Sequence, residues 1–335
     1  MSTETTSIAV IGGGSWATAL VKILSEGNTH IHWWLRSKHD IEHMKTYGRN
    51  PSYLSDVEID SEKVFPTQQL KEAVAAASHV LLVIPSAFVS EVLGKLQPSD
   101  LAGKVVISAV KGMIAGKNSL VTDYIHEQLG VPTSHLLVVA GPCHAEEVAQ
   151  ERQSYLTIGG NDLAQAEFFA SLLRCHYIKA YPNLDLDGVQ YAAVLKNIVA
   201  LACGIARGLN YGDNFQSVLV SNAMQEMKRF LDKVRPETPR DLNESAYLGD
   251  LLVTAYSQFS RNRTFGNMIG RGYSVKSAQV EMNMIAEGYY AVKAVYQANK
   301  QHFQAYTPIV DAVYHILYEK ISPIVEFRIL KDKLK

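Results

Sequence analysis

Lys196 is the one charged side chain between Val189 and Ala206. On a helix its own face would carry Ala192, Ala193, Val199, Ala200 and Cys203, so the amine is expected to be sheltered from water. An unpaired buried amine loses part of its proton affinity, which suits general acid/base work on a carbonyl/alcohol pair. The plainer account is a lysine that buries its stem and snorkels its head to water, but such lysines usually sit on polar faces. Further along, Asp250, Thr254, Ser257 and Arg261 recur at i, i+4, i+7 and i+11, one stripe of a continuous helix. There Asp250 could orient Lys196 and compensate its charge. Arg261, Asn262 and Arg263 would end that helix as a cluster of donors suited to a phosphate. The same spacing also fits a solvated face with local hydrogen bonds.

A second constellation lies near the N-terminus. Gly12-Gly13-Gly14-Ser15-Trp16-Ala17 fits G-x-G-x-x-A, a variant of the dinucleotide fingerprint. Gly12 permits a tight turn, Gly14 lets backbone approach a pyrophosphate, and Ala17 lets helix and strand pack closely. The helix start then binds the phosphates. Such a motif is informative only between a strand and a helix, and here Ile8–Ile11 precedes it and a helical pattern over Trp16–Leu24 follows. Where an NAD site usually presents an acid for the ribose hydroxyl, the chain has Leu35-Arg36-Ser37-Lys38. Arg36 can instead pair with a 2′-phosphate, which favours NADP and leaves NAD open. Lys111-Gly112 and Gly141-Pro142-Cys143-His144-Ala145 each follow a strand at the carboxyl edge of the sheet, where ligands of such folds bind. His144 reads as a loop support rather than a base, and nothing requires Cys143 to be reactive.

The elements that must position these groups divide in two. Strand-like runs cover Ile8–Ile11, His30–Leu35, His79–Ile84, Lys104–Ser108 and Leu136–Ala140, with weaker ones at Tyr155–Gly159 and Tyr177–Lys179. They are apolar throughout and alternate with helices, which indicates a parallel sheet covered on both faces. After Pro182 helical periodicity dominates over Asp187–Gly208, Phe215–Val234, Leu248–Arg261, Val275–Glu287 and Tyr289–His302. The expected fold is α/β: a Rossmann-type dinucleotide-binding domain over 1–182 followed by an all-helical substrate and catalytic domain over 183–335.

Bulk properties bound the remaining possibilities. The chain has 335 residues, 47% hydrophobic and 19% charged, with a formal net charge of −1, so no global positive field invites nucleic acid. Its three cysteines, Cys143, Cys175 and Cys203, form no metal-ligand spacing and argue against a disulfide framework. The polar Met1–Ser7 stretch lacks the basic start and apolar stretch of a signal peptide. The longest apolar run, Tyr191–Ala206, is interrupted by Lys196-Asn197 and falls short of the roughly 18 residues that span a bilayer. The expectation is a cytoplasmic protein with no membrane insertion.

Taken together, these segments resemble bacterial NAD(P)-dependent glycerol-3-phosphate dehydrogenase over nearly the whole chain. The resemblance rests on the Gly12–Ala19 stretch, Val83-Ile84-Pro85-Ser86, Lys111-Gly112, Gly141-Pro142-x-x-Ala145-x-Glu147-Val148, Leu195-Lys196-Asn197, Gly249-Asp250-Leu251, Ser260-Arg261-Asn262 and Glu287-Gly288. Single pieces are weak; their order and spacing together are specific. The resemblance implies that NADP or NAD is held by Gly12, Gly14, Ser15, Trp16, Ala17, Arg36, Lys111, Ala145, Arg261 and Glu287, with Ile285 nearby. Lys196, Asp250 and Lys111 would be catalytic, Lys196 as the proton acceptor in alcohol oxidation. Lys111, Gly141, Cys143, Ser260, Arg261 and Asn262 would join them against substrate. The implied reaction is reduction of dihydroxyacetone phosphate to sn-glycerol 3-phosphate for glycerophospholipid synthesis, in a homodimer.

Three features depart from the family. Ala17 replaces the third glycine, Cys143 stands where Ser or Thr is expected, and Tyr53–Pro66 matches poorly. A β-hydroxyacid dehydrogenase would share the fold and the lysine, but would not need the Ser260-Arg261-Asn262 phosphate end or the Lys111-Gly112 turn. A non-catalytic dinucleotide sensor would not need a sheltered lysine facing an acid, and no basic amphipathic helix supports a membrane-surface scaffold.

Overall fold

The computed structural model describes residues 6–114, 116–282 and 286–335. The chain forms two compact units. The first comprises residues up to 84, 88–110 and 121–186; the second comprises 85–87, 111–120 and 187–335. Two short segments, 85–87 and 111–120, thus belong with the helices of the second unit.

The first unit is an eight-stranded sheet: β1 Thr6–Ile11, β2 Thr29–Trp34, β3 Val64–Thr67, β4 His79–Leu82, β5 Val105–Ser108, β6 Leu136–Ala140, β7 Ser154–Gly160 and β8 Ile178–Asn183. Their order is β3-β2-β1-β4-β5-β6-β7-β8, whose first six strands have the doubly wound arrangement of dinucleotide-binding folds. In the central strands β4, β5 and β6 every residue is buried, so both faces of the sheet are covered there. Ile8, Val10, Leu81, Ile107, Leu137 and Val139 share one core with Ala17, Leu20 and Leu24 of the helix Ser15–Ser25. β3 is absent from the periodicity because it is four residues long, contains Pro66 and leaves Phe65 exposed; as an edge strand it tolerates all three. The expectation of a parallel sheet holds except between β6 and β7, which run antiparallel with Val138 opposite Gly159. Pro182 lies inside β8, opposite Ile158, and the sheet ends there at an edge where proline costs no ladder bond.

The second unit is built around the helix Leu186–Gly208. By length and composition this 23-residue helix could cross a bilayer, which corrects the expectation drawn from the shorter apolar run. Its most apolar 18-residue window is wholly buried within the protein. The helix Asp213–Val234 follows. One helix predicted over Leu248–Arg261 is instead two. A π-helical turn at Ser245–Gly249 leads into Asp250–Tyr256, and Ser257 turns to extended backbone. Ser260 then caps a new helix, Arg261–Gly270, accepting from the Arg263 N–H at 3.3 Å. Asp250, Thr254, Ser257 and Arg261 therefore do not form one stripe, and Arg261 opens a helix rather than ending one. Val275–Met282 is a further helix, and Ala286 has extended backbone ahead of the helix Glu287–Ala298, so Glu287 also begins a helix. Pro308–Tyr318 and Pro323–Lys331 complete the unit.

Glycines set how closely two of these helices cross. A β-carbon at Gly204 would lie 2.2 Å from the Arg263 carbonyl oxygen, and one at Gly266 would lie 2.2 Å from that of Leu201. Gly270 meets Ile205 in the same way, at 2.4 Å. Backbone packs on backbone, and the start of the Arg261 helix is thereby drawn up to the middle of the Lys196 helix.

Candidate active site

In the second unit Lys196 and Asp250 are 3% and 1% exposed, and the Lys196 ammonium donates directly to Asp250 Oδ1. The amine is sheltered as its helical face requires, but it is not unpaired. Burying two charges is tolerable only when they meet with good geometry. The π-helical turn before Asp250 precedes the first residue of its helix, where an acid is also favoured by the helix dipole. Inside the helix that Asp250 begins, Thr254 donates its hydroxyl to the Asp250 carbonyl at 2.7 Å.

The neighbouring Asn197 links the other segments. Its Nδ2 donates to the Lys111 carbonyl at 3.0 Å, and its Oδ1 accepts from Asn262 Nδ2 at 2.9 Å. The Asn262 Oδ1 in turn accepts the Gly288 N–H at 2.9 Å. The Lys111 loop, the Lys196 helix and the starts of the Arg261 and Glu287 helices are thus tied by one hydrogen-bond chain. Gly288 has no room for a side chain: a β-carbon would lie 2.6 Å from the Asn197 carbonyl oxygen.

Glu287 is held by a second brace. Its carboxylate accepts the Ser86 N–H at 3.0 Å and the Ser86 hydroxyl at 2.6 Å. Burial pushes its carboxyl up, while the Ser86 bonds and the Arg261 guanidinium pull it back. Gly112 is required here, because a β-carbon would lie 2.5 Å from Ser86 Oγ. Lys111, Lys196, Asp250, Ser260, Arg261, Asn262 and Glu287 all lie in this unit. Ile285 lies outside the described residues.

The first unit carries the other candidates: Gly12, Gly14, Ser15, Trp16, Ala17, Arg36, Gly141, Cys143 and Ala145. Gly12 has φ +133°, and a β-carbon there would sit 2.1 Å from the Val83 carbonyl oxygen. Gly14 has open space where its side chain would be, and it precedes the first turn of the helix Ser15–Ser25 without a capping side chain. This cradle fits a pyrophosphate: the backbone is approachable and the helix start supplies positive potential. Ala17 is fully buried, as close packing of helix on strand demands. Trp33 Nε1 donates to the Gly12 carbonyl at 2.6 Å, and Asn50 Nδ2 to those of Gly13 at 3.2 Å and to Thr18 Oγ1 at 2.8 Å.

Gly141 has φ +113°, and a β-carbon would meet the Tyr155 carbonyl oxygen at 2.7 Å, so its glycine has a backbone reason independent of any ligand. Cys143 and Ala145 are 4% and 7% exposed and belong to the apolar core. His144 opens the short helix Ala145–Ala149 through its carbonyl, which accepts from Glu147 and Val148. Arg36 is exposed just beyond β2, with its guanidinium 6.0 Å from the centre of the Phe88 ring.

Sequence reasoning assigned no role to Ser86, Asn197, Asn50 or the crossing glycines. Asn197 and Ser86 carried a signal: one is a large polar residue in an apolar helix, the other follows Pro85 at a strand end. Asn50 acts on the glycine turn from a distant segment and had none. Among the described residues no group of three or more His, Cys, Asp or Glu could hold a metal ion.

A doubly wound sheet with an open glycine turn, and a separate helical unit with a buried lysine–aspartate pair, define the class of two-domain NAD(P)-dependent dehydrogenases. Within that class the chain belongs to the NAD-dependent glycerol-3-phosphate dehydrogenase family. The model of the family's N-terminus matches residues 7–166 and that of its C-terminus residues 185–327. The chain is 34% identical to the glycerol-3-phosphate dehydrogenase [NAD(P)+] of Desulfotalea psychrophila, over 95% of this chain and 94% of that one. It is 34% identical to that of Streptococcus uberis, over 95% and 93%. Among solved structures it resembles the glycerol-3-phosphate dehydrogenase of Coxiella burnetii, with a TM-score of 0.90 and 28% identity over 97% of this chain and 98% of that one.

Proposed function

We propose that this chain reduces dihydroxyacetone phosphate at C2 to sn-glycerol 3-phosphate with NADPH or NADH, and so supplies glycerophospholipid synthesis. The observation that carries the reading is the buried Lys196–Asp250 pair, set in the unit where the Ser260–Asn262 helix start is tied to Asn197. When bound, the nicotinamide supplies the hydride that C2 receives. Lys196 gives a proton from Nζ to the ketone oxygen, and its charge stabilises the negative charge growing there. Asp250 holds the ammonium in place and compensates it between turnovers. In the oxidising direction the same amine takes the alcohol proton.

The phosphate belongs with Ser260, Arg261 and Asn262. A helix start offers N–H groups and positive potential to an anion, and Arg261 adds a planar fork. This supports phosphate better than the helix end that the sequence pattern suggested. Lys111 serves substrate and cofactor from the loop that Asn197 holds. Glu287 serves the cofactor with Arg261 beside it. Gly12, Gly14, Ser15, Trp16, Ala17, Arg36 and Ala145 complete the cofactor site, and Gly141 with Cys143 the substrate side. The working division is a dinucleotide domain over 1–182 and a catalytic domain over 183–335. The protein is proposed to be cytoplasmic, without membrane insertion, and a homodimer.

A substrate panel tests this reading. NADPH and NADH consumption is followed with dihydroxyacetone phosphate, unphosphorylated dihydroxyacetone and a short 3-oxo acid. Turnover with the first and little with the others is expected; turnover with the oxo acid alone would place the chain with the β-hydroxyacid dehydrogenases.

A further inference from the structure

The helix Lys38–Tyr47 of the first unit buries Ile41 and Met44 and carries His39 and His43 at i and i+4, on one face. The two ring centroids are 6.4 Å apart. In each ring one nitrogen is already engaged. His43 Nδ1 lies 3.0 Å from the Arg49 carbonyl oxygen. A carbonyl only accepts, so Nδ1 carries the hydrogen and the neutral ring keeps its lone pair on Nε2. His39 Nδ1 lies 3.3 Å from Asp40 Oδ1, and donation to that carboxylate gives the ring the same tautomer. Asp40 is held in turn: Ser52 Oγ lies 3.3 Å from each of its carboxylate oxygens. Arg49 and Ser52 belong to the segment that folds back after Gly48, which has φ +63°. One segment thus supports both imidazoles. Its Asn50 also donates to the Gly13 carbonyl in the glycine turn.

We infer that His39 and His43 form a bidentate site for a first-row transition-metal ion such as Zn²⁺, bound through the two Nε2 atoms. Histidines at i and i+4 on one helix face can share a zinc ion, and imidazole suits Zn, Cu and Ni. With Zn–N bonds of about 2.0–2.1 Å, two imidazoles on one ion have their centroids roughly 5 Å apart. The rings therefore need to close by only roughly 1 Å, which small side-chain rotations supply. The outer contacts are of the kind that metal-binding histidines use. Such a ring donates its other N–H to a carboxylate or a backbone carbonyl, which fixes its tautomer and orientation; Asp40 serves His39 and the Arg49 carbonyl serves His43. The His39 side chain is 81% exposed, so an ion can enter and water can fill its remaining positions. Lys38, next in the chain, faces Glu42 at 3.6 Å. A bound ion cross-links two turns of the helix. Through Asp40 and Arg49 it also fixes the segment whose Asn50 reaches the glycine turn.

The test is titration of the metal-stripped full chain with Zn²⁺ alone, followed by calorimetry and by thermal melts. Neither readout depends on turnover. His39→Ala and His43→Ala should each weaken zinc binding by more than about tenfold, because loss of an outer contact alone brings about 10- to 100-fold. Asp40→Asn, which changes only such a contact, should weaken it by about tenfold. His30→Ala alters the other closely spaced histidine pair, His30 and His32 on β2, and should bind zinc as the wild type does. Zinc should raise the melting temperature of the wild type and leave that of His39→Ala unchanged. His39 is exposed, so without metal that variant should melt with the wild type. Absence of zinc uptake by the wild type would overturn the assignment. So would an affinity that survives in either His39→Ala or His43→Ala, or one that is lost in His30→Ala.

Discussion

Replacing one member of the Lys196–Asp250 pair strands the other as a buried charge. Both are almost wholly buried, so water does not compensate the loss. Breaking such a pair costs about 3–5 kcal/mol, whereas replacing both members by apolar residues of similar volume is often neutral. Lys196→Met and Asp250→Leu should therefore each destabilise strongly, and the double variant should recover most of the loss. For a unit of this size 1 kcal/mol corresponds to about 2–4 °C in Tm. Each single variant should thus melt about 6–20 °C below the wild type, and the double variant within a few degrees of it. Thermal melts of the four proteins, followed by circular dichroism at 222 nm, give the coupling directly. Losses that add to within about 0.5 kcal/mol would show that the two charges do not sense each other, and the reasoning from the buried pair would fail.

Other perturbations test the rest of the helical unit. Gly266→Ala places a methyl group 2.2 Å from the Leu201 carbonyl oxygen. The helices must part, at a cost of about 1–3 kcal/mol or more, and KM for dihydroxyacetone phosphate should rise because the Arg261 helix start moves away from Asn197; an unchanged melt and KM would contradict the close crossing. Glu226 gives a pH dependence. Its carboxylate accepts the N–H groups of Ile309 and Val310 at 2.8 and 2.9 Å, yet burial, the larger influence, pushes its carboxyl up to about 8 from 4.5. A folded value above the unfolded one means that this contribution is fully present below pH 4.5 and is lost as pH rises through 8. The Tm of the wild type should then fall between pH 5 and 8 relative to that of Glu226→Gln, and parallel curves would refute the shift.

The legible parts of the fold were those that depend on periodicity. Apolar strands alternating with helices give the doubly wound sheet, and the all-apolar face around Lys196 gives its burial. The pattern gives the prevailing parallel direction but does not mark the single strand that reverses, so the antiparallel pairing of β6 with β7 is not legible in it. The break at Ser257–Ser260 was hidden because a 3.6-residue spacing runs through it by coincidence. Serines prefer to bond their own backbone, and Ser260 does so as a cap. That break changes the chemistry: Arg261 and Asn262 sit at a helix start, where anions are favoured, not at a helix end. The close crossing of Gly204 and Gly266 depends on two helices meeting, which no single segment records. Glu287 was recognisable only by resemblance, since its brace, Ser86, lies 201 residues away.

The central claim is that Lys196 moves the proton in a reaction on dihydroxyacetone phosphate. Its most direct test compares the single-turnover rate of NAD(P)H oxidation by the wild type and by Lys196→Ala at saturating substrate. A positioned general acid contributes about 10²- to 10⁴-fold, so a loss of that order is predicted with cofactor binding retained. A Lys196→Ala rate within about tenfold of the wild type, or a wild type that leaves dihydroxyacetone phosphate unreduced with both cofactors, would contradict the account.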